Sequence, residues 1–315
     1  MEFKNVVFMF HKITSKNWFK TAIEIISRVY KFISIDEIDS YFYGNKTLKN
    51  ACHISFDDGD RSIYEHAYPV LKTMGLPASL FISPRMIKQK CNYWFQEVDY
   101  ITEHEGDALL KRAISRMFQI QYSVLKKFRI GSILKQLKLE EILSVIAAVK
   151  KKNGLEIKKK YNLTVNQILE FQKSNLFTFG AHTITHPILK NENDRRVEQE
   201  IRESINELSE MLNEKVNYFA YPNGLSRLDF GNREMQILKD LDVRLAFSTD
   251  PGNFNKKNNP LSIPRLSVNA LGDRATLLYQ IVAAPMWIAA KNANSKLNID
   301  LKERLEIIEK RILVS

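Results

Sequence analysis

Cysteine is nearly absent: the 315 residues contain two, Cys52 and Cys91. That excludes a disulfide framework and a cysteine-based metal cluster; Cys52, inside an apolar run, reads as a small core residue. No apolar stretch reaches the ~18 residues that a membrane-spanning helix needs. The opening MEFKNVVFMFHKI turns acidic at its second residue. It has no basic start, apolar stretch or small-residue cleavage site of a secretory signal, so the expectation is a soluble, cytoplasmic chain. Internal repeats and low-complexity segments are missing too. Histidine is scarce, six in all, and none follows His186. What remains is 44% hydrophobic and 26% charged, ordinary globular material with enough apolar residues for a substantial core.

The net charge is +11, and it is concentrated. Between Ala108 and Lys160 there are fourteen Lys or Arg and three Glu, so this segment alone carries +11 and the rest is close to neutral. Nucleic acid would favour such a patch, but no aromatic platform, zinc finger or helix-turn-helix pattern accompanies it, which argues against that partner. Solvated helix faces explain the charge most simply. The partner it would otherwise fit is an anionic polymer or, through a peripheral contact, an anionic membrane surface.

Along the chain, short apolar strand-like runs alternate with helical ones. The strand candidates are 6–11, 31–35, 51–56, 78–83, 177–183, 217–224, 244–250 and 261–268. Helical spacing falls at 15–30, 36–43, 61–74, 164–174, 192–213 and 229–241. A β-α-β rhythm with strands apolar on both faces predicts an α/β fold with a parallel sheet. Seven or eight strands in this length favour a closed barrel over an open sheet. Two parts break the rhythm: a basic helical insertion at about 86–163 and C-terminal helices at about 273–313. The reading is one domain, 1–315, carrying both. The most apolar run, 275–290, is expected to pack on the barrel, with a membrane-surface contact as the alternative.

In parallel α/β folds the chemistry gathers at the carboxyl ends of the strands. Polar groups stand there in this sequence. His11 ends the first strand; Asp57 and Asp58 end the run ACHISFDD; His182 and His186 belong to FTFGAHTITHP; FAYPNG ends in Tyr221, Pro222, Asn223 and Gly224. Taken alone, Asp58-Gly59 reads as a turn and Asp57 as a helix cap. Side chains alternate along a strand, however, so adjacent carboxylates point apart, and one can hold something on which the other acts. Two histidines four apart can share a face. With a carboxylate they form a three-ligand set that leaves room for water and substrate around a divalent ion.

SFDDG, HTITHP and YPNG, in that order, resemble the first three motifs of the polysaccharide deacetylases (carbohydrate esterase family four, the NodB homology domain), and the similarity runs from VVFMFHKI to IPRLSV. The resemblance implies a distorted (β/α) barrel of about seven parallel strands. It implies a divalent metal, in the first place Zn2+, and hydrolysis of acetyl groups on N-acetylated saccharides, in a polysaccharide or its precursor. By position, Asp58, His182 and His186 match the metal ligands and Asp57 the general base. The loop Tyr221–Gly224 would offer substrate a backbone N–H for the oxyanion. Trp94 falls where an aromatic often borders the sugar, with packing in the core as the alternative.

The sequence also departs from that pattern. No arginine precedes Pro222, and Arg265 in IPRLSV is the candidate to supply that charge from another strand. Asn223 replaces a common tyrosine. A late histidine acid is missing, which leaves His11 as the candidate acid. These gaps keep open a carbohydrate-binding pseudoenzyme, and a related hydrolase of another non-peptide C–N bond.

Overall fold

Short runs of apolar residues form the strands, and their burial on both faces makes them parallel-sheet strands. The computed structural model describes residues 4–270 and 273–285. The strands are β1 (Val6–Phe10), β2 (Lys31–Phe32), β3 (Ala51–Asp57), β4 (Ala78–Ile82), β5 (Phe177–Ala181), β6 (Tyr218–Ala220), β7 (Leu245–Phe247) and β8 (Leu266–Ser267). Every residue of β1, β3 and β4 is buried. All pairings are parallel, in the order β7-β6-β5-β4-β3-β1-β8, with β2 beside β3. The expected seven-stranded distorted barrel is therefore present, curled as a half-barrel. A single parallel bridge, Phe247 to Ile263, links the segment before β8 to β7.

Helices flank the sheet where the apolar spacing predicts them, among them Lys16–Ser27, Ile35–Tyr43, Val165–Lys173, Asp194–Leu212 and Asn232–Asp240. Their starts are fixed locally. Ser34 and Glu37 form a reciprocal cap, as do Thr164 and Gln167.

Between β4 and β5 the chain departs into helices Pro84–Lys88, Trp94–Glu105, Ala108–Phe118, Tyr122–Leu125, Ile130–Leu134 and Leu139–Asn153. This is the expected insertion, and it has its own apolar cluster, including Val98, Ile101, Ile114, Ile142 and Val145. Ile188, from the turn after β5, completes that cluster, so the insertion packs against the carboxyl end of the sheet. Near the C-terminus, helix Arg274–Leu278 runs on through a π-helical turn, Tyr279–Ala283, with Leu277 and Ile281 buried in the main core. The rest of the predicted C-terminal helices, 286–313, lies outside the described residues. Among the described residues no helix is long and apolar enough to cross a membrane.

Candidate active site

Asp57 is the last residue of β3, and the chain then turns through two left-handed residues, Asp58 (φ 67°) and Gly59 (φ 73°). Aspartate tolerates this region better than most side chains. Gly59 is required twice over: by its φ, and because a Cβ there would stand 3.0 Å from Ile82 Cγ2. An Asp-Gly turn is thus present, and its effect is to send the two buried carboxylates in different directions.

Asp58 faces the histidines. His182 follows β5, and its Nδ1 lies 2.7 Å from the Ala220 carbonyl. A carbonyl only accepts, so Nδ1 carries a proton, and in the neutral imidazole Nε2 holds the free lone pair; burial lowers the His182 pKa, but the Asp58 and Asp57 carboxylates outweigh it and raise the pKa. That Nε2 lies 3.5 Å from Asp58 Oδ1, and His186 Nε2 lies 3.3 Å from the same oxygen. One ligand atom from each of the three residues falls within 4.8 Å of the others, and all three residues are buried. Asp58 Oδ1 makes no hydrogen bond. Buried lone pairs converging without shared protons are what a cation needs, so these residues fit a divalent ion. Burial raises the Asp58 carboxyl, but the facing His182 and His186 outweigh it and hold the group below the usual range. Burial dominates at His186, whose pKa is lowered to about 4 and whose imidazole is therefore neutral.

Asp57 faces the other way, onto Arg265. Two parallel hydrogen bonds of 2.7 Å join Arg265 Nη1 and Nη2 to the two carboxylate oxygens. Arg265 is 1% exposed and is itself fixed by donation from Nε to the Ser248 carbonyl and by the rings of Phe81 and Phe247. Burial pushes the Asp57 carboxyl up, and the guanidinium more than compensates, so the group stays ionised. His11 Nε2 lies 3.9 Å from Asp57 Oδ2, with 42% of its side chain exposed. The structure therefore brings together His11, Asp57, Asp58, His182, His186 and Arg265.

The loop after β6 offers backbone rather than side chains. Tyr221 is fully buried, stacked on Phe230, and its hydroxyl donates to the Leu261 carbonyl. Its N–H donates to Phe247, the Gly224 N–H to the Pro222 carbonyl, and proline has no donor. The Asn223 N–H is the loop's remaining backbone donor, and the buried Asn223 side-chain Nδ2 is a second donor without a partner. Asn223 (φ 55°) and Gly224 (φ 73°) are both left-handed.

Trp94 is a correction. The expectation of an aromatic face offered to a sugar fails because Trp94 is 4% exposed and packed in the insertion core, with its indole N–H donating to the His186 carbonyl at 3.0 Å. Two supporting residues had no sequence signal. The Tyr93 hydroxyl donates to the Asp58 carbonyl at 3.0 Å. Glu200, 1% exposed, accepts from the N–H groups of Ile184 and Thr185 and from the Thr185 hydroxyl, bracing the turn between the two histidines. Backbone partners of this kind leave no pattern in the sequence.

The chain is similar to known proteins in sequence and in fold. A poly-beta-1,6-N-acetyl-D-glucosamine N-deacetylase of Staphylococcus aureus (strain MSSA476) is 23% identical over 256 residues, covering 81% of this chain and 67% of that protein. A protein of the same description from Staphylococcus epidermidis is 40% identical over 52 residues, 16% of this chain and 18% of that one. Among solved structures, IcaB from Ammonifex degensii superposes with a TM-score of 0.59 at 18% identity, covering 90% of this chain and 97% of that one. Streptococcus pyogenes deacetylase PplD, in complex with acetate, does so with a TM-score of 0.57 at 17% identity over 89% and 98%. These two likenesses establish the fold. The family model for polysaccharide deacetylase matches residues 44–246, a span that starts ahead of β3 and ends in β7 and so takes in the Asp57-Asp58 turn, both histidines and the YPNG loop. With more than half the chain matched, it belongs to the polysaccharide deacetylase family.

Proposed function

We propose that this chain is a metal-dependent N-deacetylase that removes acetyl groups from a β-1,6-linked N-acetylglucosamine polymer. The observation that carries the reading is the divergence of two neighbouring carboxylates, Asp58 towards two imidazoles and Asp57 towards a buried guanidinium. The polymer is inferred from the described activity of the staphylococcal relatives.

Asp58, His182 and His186 would hold the ion, and two imidazoles with one carboxylate suit Zn2+. Such an ion supplies Lewis acidity, polarising the acetyl carbonyl and acidifying water so that a base of low pKa suffices. Asp57 is that base: ionised, uncommitted to the ligand set, and held in one orientation by Arg265. It takes the proton as water adds to the acetyl carbon. The Asn223 N–H donates to the oxygen that becomes negative. His11, at the rim, gives a proton to the nitrogen as the C–N bond breaks, releasing acetate and a free amine. Arg265, paired with Asp57, supplies the charge that the segment before Pro222 lacks, which weakens the case for a pseudoenzyme.

The test is metal analysis of the purified chain with acetate release from β-1,6-linked N-acetylglucosamine oligomers. The expected result is one divalent ion per chain and equal yields of acetate and new amine, lost on chelation and restored by Zn2+. A metal-loaded chain that releases no acetate from any N-acetylated oligosaccharide would end the proposal.

A further inference from the structure

The three candidate ligand residues share a feature beyond their side chains: each has its backbone carbonyl held by a side chain from the stretch 83–94. The Ser83 hydroxyl donates to the His182 carbonyl at 2.9 Å. Tyr93 does the same for Asp58 and Trp94 for His186, each at 3.0 Å. Asp58 (φ 67°) and His186 (φ 60°) both sit in the left-handed region. A residue with a Cβ stays there only when its surroundings fix it, and here Tyr93 and Trp94 supply that constraint. The rings add to it. Tyr93 and Phe95 stack on each other at 5.2 Å, and both meet the His186 imidazole edge to face, at 5.5 and 5.0 Å.

Ser83 directly follows β4, but the Tyr93 and Trp94 arms of this clamp are rooted in the insertion. Tyr93 and Trp94 open helix Trp94–Glu105, whose Val98 and Ile101 lie in the insertion cluster with Ile142, Val145 and Ile146 of helix Leu139–Asn153. Gln96 accepts from the Tyr93 N–H and donates to Asn162, which in turn donates to the Cys91 carbonyl. The segment after His186 is tied to the same body: Asn191 donates to the carbonyls of Lys135 and Leu137, and Glu192 accepts from the Leu139 N–H.

We infer that Tyr93 and Trp94 are positioning residues for the metal ligands, so that the affinity of the site for its ion depends on the folded state of the helical insertion. The inference rests on the metal-site reading above. By linkage the dependence runs both ways, and the ion should steady the insertion as much as the insertion steadies the ion.

Tyr93→Phe keeps the ring and removes only the donor; Trp94→Phe keeps an aromatic ring but loses the donor together with one ring of the buried indole. Affinity for Zn2+ is measured by chelator competition, and the Co2+ form by its visible absorption spectrum. Each variant should bind Zn2+ about 10–100-fold more weakly, the range seen when partners of metal ligands are lost, with an altered Co2+ spectrum and an unchanged far-ultraviolet circular dichroism spectrum. Val145→Ala, in the insertion core and remote from the ligands, should weaken Zn2+ binding as well. Amide exchange in helix Trp94–Glu105 of the wild type should slow when Zn2+ is added. Variants that fold, bind Zn2+ within twofold of wild type and keep its Co2+ spectrum would overturn the inference and leave the metal site standing. A wild-type chain that takes up no ion removes both. If either aromatic variant fails to fold, Val145→Ala and the exchange measurement decide the matter, and an exchange rate indifferent to Zn2+ counts against it.

Discussion

Arg265 and Asp57 are 208 positions apart and meet in a bidentate pair with almost no exposure. Desolvating both charges is expensive, and the pair persists because the two hydrogen bonds are parallel and the guanidinium has further partners in Ser248 and two rings. Removing one partner leaves an uncompensated buried charge. Arg265→Ala should therefore lower unfolding stability by about 3–5 kcal/mol and also depress turnover, read by urea denaturation and acetate release. Arg265→Lys should recover only part of either, because an ammonium is a point charge and cannot make the same fork. Asp57→Asn preserves shape and removes the ionised base, so turnover should drop by about 10²–10⁴-fold while the bound metal per chain is unchanged. His11→Gln should likewise abolish turnover with metal retained; if acetate release survives, the leaving amine takes its proton from elsewhere.

At the scale of the elements, the sheet brings the ligands together through close approach of backbone. Gly180, in β5 two residues before His182, has no room for a side chain: a Cβ would lie 2.4 Å from the Phe81 ring and 2.9 Å from the Tyr218 carbonyl. Gly180→Ala must push β4, β5 and β6 apart. It should cost about 1–3 kcal/mol in stability, with weakened metal binding, because His182 is aligned by the Ala220 carbonyl at the end of β6. Thermal unfolding and chelator competition test this together. The same scale explains what the sequence displayed. Asp57, Asp58, His182 and His186 stand out because polar residues cluster at the ends of strands that are otherwise mostly apolar, and the parallel fold sends all such ends to one side. Arg265, which directly precedes β8, stands out for another reason: the segment before Pro222 lacks an arginine and IPRLSV carries one. Tyr93 and Glu200 do not, since each contacts backbone atoms elsewhere in the chain; Trp94 does, but for a contact with sugar and not for the His186 carbonyl it holds. Periodicity placed Trp94 in a helical insertion but could not tell which way the helix faced. The buried face won, and the ring that looked free to stack on a sugar became part of the site's support.

Over the whole molecule, charge and chemistry are separated. The +11 segment from Ala108 to Lys160 lies within an insertion that has its own apolar cluster, whereas the acid-base groups sit at the ends of the strands. Most of its cations are exposed, including Arg116, Lys126, Lys151, Lys152, Lys158 and Lys159. A deacetylated product is itself cationic, so this charge does not serve to hold it; the chemistry it suits is an anionic polymer or a surface of anionic lipid. Such attraction between exposed charges is screened over about 8 Å at physiological ionic strength. Binding to vesicles containing phosphatidylglycerol should therefore weaken steeply as salt rises, and vesicles of phosphatidylcholine alone should bind little. Replacing Lys151, Lys152, Lys158 and Lys159 by Gln should reduce cosedimentation with the anionic vesicles and leave acetate release from short soluble oligomers unchanged, because these side chains are solvated and none touches Tyr93, Trp94 or the triad. If the substituted chain cosediments as well as wild type at every salt concentration, the charge is only a solubilising helix face, and the insertion's role reduces to the support it gives His186 and Asp58.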